Sequence, residues 1–145
     1  MFIDQLTNAD SMPVLRAVAQ FAGRRQQVLL ANIANISTPG YQMKDVSVSG
    51  FQGALAEAIA ARREKNGGSR GDLEIKSTSQ LEFTRDGLRV VPGIGGDNVM
   101  FHDRNNRDLE RAMQDLSENV AMFRLATDLL RSKASLLEAA IRERS

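Results

Sequence analysis

From Leu109 to Ile141, apolar residues recur at alternating steps of four and three: Leu109, Met113, Leu116, Val120, Phe123, Thr127, Leu130, Ala134, Leu137 and Ile141. Eight of these ten are large and apolar, and no glycine or proline interrupts the run to Ser145. A repeat held for more than four heptads leaves few options besides a long helix with a partner along its seam. At ~1.5 Å per residue such a helix runs about 55 Å. Asn106 is suited to cap it, and Asp108 and Glu110 match the positive end of its dipole. A second stripe lies beside the first: Met122, Leu125, Ala126, Leu129, Leu136 and Ala140. One partner needs one seam, so the broader apolar face predicts more than one neighbour. The remaining face carries seven basic and seven acidic residues from Arg107 onward. Pairs such as Arg111–Asp115 and Glu138–Arg142 fall at helical contact spacing, as on a solvated face.

The other end of the chain repeats the pattern less regularly. A helix starting near Pro13, a residue at home in a first turn, carries the stripe Leu15, Val18, Ala22, Leu29, Ile33 and Ile36. Arg25 and Asn32 stand in register with it, and polar residues in an apolar seam fix register at a cost in stability. The helix has to stop before Pro39, which disfavours helical geometry at Thr38. Thr38-Pro39-Gly40-Tyr41 then places Pro and Gly at the two central positions of a type II turn. The uncharged stretch LLANIANISTPGY contains two amides, Asn32 and Asn35. Buried amides require hydrogen-bond partners, which are either local groups at the helix end or groups on a neighbouring subunit.

Residues 42–106 hold nine of the eleven glycines. Within them, FQGALAEAIAARRE reads as a short amphipathic helix through Phe51, Leu55 and Ile59. KNGGSRGD reads as a linker, and LEFTRDGLRVV as a hairpin turning at Asp86-Gly87. The expected organisation is a helical segment 1–41, a small, loose middle 42–106 and a heptad helix 107–145. Each terminal helix shows more apolar surface than so small a middle can cover, so the sequence expects both ends to order on assembly.

Several function classes are excluded or weakened. With no cysteine and a net charge of +1, thiolate metal sites are ruled out and no field favours nucleic acid. Catalytic, cofactor-binding and metal residues are all predicted to be none. The single histidine, His102, sits beside Asp103 in a glycine-rich stretch, and no HExxH motif or serine elbow is present. PGIGGDN lacks the Lys-Ser/Thr of a phosphate loop. The N-terminus lacks a basic region followed by an apolar run, so no cleaved signal peptide is expected, and the longest uncharged run, 26–43, is too polar to span a bilayer. Residues with sticky helical stripes at both ends and no reactive cluster describe an assembly protein. The alternative is a coiled-coil adaptor or binding module of another kind.

At RQQVLLANIANISTPGYQMKDV, residues 25–46, the chain closely resembles the N-terminal signature of the bacterial flagellar axial proteins. That family comprises the rod, hook and hook-filament junction subunits. Its pattern L-x-x-N-I-A-N-x-x-T-P-G-Y is met at Leu29, Asn32, Ile33, Ala34, Asn35, Thr38, Pro39, Gly40 and Tyr41. The C-terminal segment from Asn105 is similar to that of the short proximal-rod members. One departure precedes the last helix, where family members often read D-G-N-N-V-D: Arg104 and Arg107 stand at the glycine and valine positions.

The resemblance implies a mainly α fold, with long N- and C-terminal helices paired into a coiled-coil-like axial core and a small irregular middle. It implies a periplasmic rod subunit of the flagellar basal body, exported by the flagellar type III apparatus without a cleaved signal. Phe2 and Leu6 resemble the F-x-x-x-L export element of such subunits. The implied partners are further copies of itself, the rod proteins FlgC and FlgF-type, the rod-base adaptor FliE, the membrane-supramembrane ring and the export gate, with no nucleic acid.

Overall fold

A computed structural model describes residues 11–67, 70–94 and 107–143. The expected export pair Phe2 and Leu6, the cap Asn106 and the His102–Asp103 pair lie outside them. The chain runs α1 (Met12–Ala34), β1 (Lys44–Asp45), α2 (Val48–Asn66), β2 (Leu81–Thr84), β3 (Gly87–Val90), β4 (Gly93–Ile94) and α3 (Arg107–Arg142). The protein is mainly helical, and its long terminal helices pack on each other, as expected.

α1 starts with Pro13 in its first turn and closes at Asn35. Ile36, expected within the helical stripe, therefore lies beyond the helix. In the turn that follows, the Tyr41 N–H donates to the Thr38 carbonyl at 3.2 Å. Gly40 there has φ +75°, the left-handed value that type II geometry demands and glycine adopts without strain.

α2 is longer than expected and is closed at both ends. The Ser47 hydroxyl accepts from the Gly50 N–H at 2.9 Å, and Gly67 takes the left-handed C-cap, its N–H donating to the Arg63 carbonyl. β2 and β3 form an antiparallel hairpin with Leu81 opposite Val90 and Thr84 opposite Gly87. Arg85 and Asp86 make its turn, so the turn sits one residue earlier than the Asp-Gly pair suggests. β4 returns to pair antiparallel with β1.

The described residues of the middle have a definite place: they build a core together with α1. Phe21 and Ala17 of α1 pack with Val46, Phe51 and Leu55, and with Leu81 and Leu88 of the hairpin. The Phe21 and Phe51 rings stack with centroids 4.1 Å apart. Neither short strand pair would persist alone in water. Laid against α1, they bury one face and gain the stability they lack. The first helix is therefore the spine of a core as well as half of a helix pair, and Val18, expected in the assembly stripe, packs against that core.

Candidate assembly site: the signature turn and the two-helix stem

The signature residues of α1 converge on the strand that follows them. Arg25 forms a two-pronged ion pair with Asp45, Nε to Oδ1 at 2.9 Å and Nη2 to Oδ2 at 2.7 Å. Arg25 is 8% exposed, and its pKa is raised, chiefly by that hydrogen bond and against the opposing effect of burial. The charge is thus held throughout the pH range of a folded protein. Asp45 Oδ1 also accepts from the Val46 N–H at 2.7 Å.

Two turns on, buried Asn32 uses both ends of its amide. Its Nδ2 donates to the Lys44 carbonyl at 2.6 Å, and its Oδ1 accepts from the Lys44 N–H and from the Tyr41 hydroxyl, each at 3.1 Å. An amide bonded to both backbone groups of one residue acts like a neighbouring strand. Asn35 does something different: on the exposed side, its Nδ2 donates to the Ala31 carbonyl at 2.8 Å, the same oxygen that accepts from the Asn35 backbone N–H at 3.1 Å. Both amides therefore find partners inside this chain. Asn32 anchors β1 on α1 beyond the turn at Pro39, while Asn35 bonds only within the helix end and the turn.

The stem is the antiparallel pair of α1 and α3. Its buried line on α3 is Ala112, Asn119 and Ala126, one position away from the seam predicted from large side chains. Small residues let the helix backbones approach, and the larger neighbours pack to the sides. Leu116, Val120, Phe123, Leu130 and Leu137 are half-buried, while Leu109, Met113 and Ile141 are 40%, 48% and 52% exposed. On α1, Ala22 and Leu29 are buried, Leu15 and Ile33 half-buried. Sequence reasoning missed Asp45 and Asn119. The spacing of seven through Ala112, Asn119 and Ala126 was a signal for the second, while nothing local marked Asp45 as the partner of Arg25.

The far side of α3 is open. Leu125, Leu129 and Leu136 are 63%, 43% and 64% exposed, and they follow the second stripe read from the sequence. Leu30 on α1 is also exposed, at 47%. An open cleft beside the hairpin turn is lined by Arg16, Gln20, Arg24, Asp86, Leu88 and Phe123. Among the described residues no helix is long and apolar enough to cross a membrane, and no group of acidic, His or Cys side chains is placed to hold a metal.

The chain is 44% identical over 114 residues to the flagellar basal body rod protein FlgB of Salmonella typhimurium, a match covering 76% of this chain and 77% of that protein. It is 30% identical over 109 residues to FlgB of Borrelia hermsii, covering 72% and 76%. The chain belongs to the FlgB family of flagellar basal body rod proteins. No family model matches it, and no solved structure does. FlgB relatives are named as rod components and not as enzymes. The clamp from Arg25 to Asp45 and from Asn32 to Lys44 is therefore a structural feature of a FlgB-family chain.

Proposed function

We propose that this FlgB-family protein is a structural subunit of the proximal rod that polymerises through its terminal helices and transmits torque across the periplasm, with no catalytic step of its own. The observation that carries this reading is the open stripe Leu125, Leu129 and Leu136 on a helix whose other flank is already occupied by α1. Spaced for helix contact, three leucines exposed together are an unusual feature for a chain meant to stay single. The occupants of that stripe in this reading are further copies of the chain and the neighbouring rod subunits FlgC and FlgF-type, with FliE, the membrane-supramembrane ring and the export gate at the base. Delivery is by the flagellar type III apparatus, with Phe2 and Leu6 as the recognition element.

Replacing Leu125 and Leu136 together by Asp tests the assembly reading. The isolated chain should fold normally while cells lose swimming and the subunit is missing from purified basal bodies. Normal swimming with the variant present in basal bodies would remove the stripe from the assembly account. For export, the double change Phe2→Ala and Leu6→Ala should hold the subunit in the cytoplasm; assembly at the unaltered level would dismiss that pair.

A further inference from the structure

Among the described residues α3 rests almost wholly on α1, so the axial offset of the two helices is decided along one contact line. On α3 that line is Ala112, Asn119 and Ala126, spaced by seven and 7%, 0% and 2% exposed. On α1 it meets fully buried Ala22, and the Phe123 ring lies over Gly23, 3.5 Å from where a Cβ would stand. An alanine one heptad to either side of Asn119 makes packing a poor judge of register. Sliding α3 by seven residues replaces Asn119 with a small side chain that fits the same gap.

The amide supplies the missing distinction. Asn119 Nδ2 donates to the Ala22 carbonyl at 2.8 Å, a buried bond between residues 97 apart in sequence. A slip of one heptad would carry the amide opposite Leu15 or Leu29, the α1 residues seven away from Ala22. Each has a main-chain carbonyl of its own, but a leucine side chain takes the room that Ala22 leaves for the amide to reach it. Asn119 is also a poor choice for stability alone, because its Oδ1 is buried with no hydrogen-bond partner among the described residues. A residue that weakens the seam while singling out one offset is a register device.

We propose that Asn119 is the positioning residue that sets the register of the α1–α3 stem, at the expense of its stability. The offset it selects determines where the stripe Leu125, Leu129 and Leu136 lies relative to the core held on α1. That consequence for assembly rests on the rod reading above; the register itself does not.

The chain has no cysteine, so cysteines introduced at the exposed positions Gln27 and Ser117 can carry a pair of spin labels on the full-length protein. With Asn119 in place, the interlabel distance should be single and narrow. Asn119→Leu should raise the midpoint of urea unfolding, yet add a second distance population displaced along the stem by about 10 Å, one heptad at ~1.5 Å per residue. Asn119→Ala, which introduces no bulk, should show the same second population. A seam residue of merely structural importance would lower the unfolding midpoint and leave the distance single. One unshifted distance in both variants overturns the proposal. Swimming by a variant with mixed registers would count against the assembly consequence while leaving the register assignment standing.

Discussion

The two packed regions of this molecule treat their apolar side chains in opposite ways. Around α1 and the middle segment, Phe21, Val46, Phe51, Leu81 and Leu88 are all at most 3% exposed. Along α3, every leucine and the isoleucine remain half-buried or open, and the fully buried position is an asparagine. The first region has the chemistry of a finished interior. The second has a narrow internal contact, made by small residues, with apolar flanks to spare. A region that completes its own burial carries the folding of the chain, and a region that does not is free to be completed by a neighbour.

That contrast is broken most directly in the core. Phe21→Ala removes a fully buried ring stacked on Phe51 and should destabilise the isolated chain by about 3–5 kcal/mol, a large part of the ~5–15 kcal/mol that holds a domain folded. Urea denaturation measures it, and a loss below about 1 kcal/mol would mean that α1 and the middle do not share a core.

The clamp comes next. Arg25→Met leaves Asp45 without its partner. Loss of one member of a buried pair costs about 3–5 kcal/mol, and the 34% exposure of the Asp45 side chain places the expected loss nearer 2 kcal/mol. Asp45→Asn should cost less than Arg25→Met, because the amide keeps an oxygen for the Val46 N–H.

The two amides of the signature separate on the same assay. Asn32→Ala strands both backbone groups of Lys44 and should cost about 1–3 kcal/mol. Asn35→Ala, on the exposed side, should cost less than about 1 kcal/mol. Equal losses would return Asn32 to a role outside the single chain.

The smallest effect on stability is predicted at the stem's open stripe. Leu125→Ser with Leu136→Ser should change the unfolding free energy of the monomer by no more than about 0.5 kcal/mol, while motility falls sharply. A clear loss of monomer stability would show that the stripe is already covered within one chain, and the comparison between the two regions would collapse.

Periodicity alone determined the long third helix, since alternating steps of four and three without glycine or proline admit little else. It also located the second apolar stripe. The turn at Thr38–Tyr41 was equally readable, because proline and glycine restrict backbone angles locally, whatever surrounds them. What local rules could not supply were contacts between distant segments. Asp45 reads as one more surface carboxylate until the turn brings it beneath Arg25, twenty residues earlier. The middle reads as loose because its strands are short and rich in glycine; their stability comes from the face of α1 that covers them. Asn119 reads as an off-seam polar residue until two helices approach closely enough to make its position the centre of the contact. Side-chain size marks where a helix is sticky, but where it comes closest to its partner depends on the smallest side chains, and only the packed pair of helices decides which of those meet.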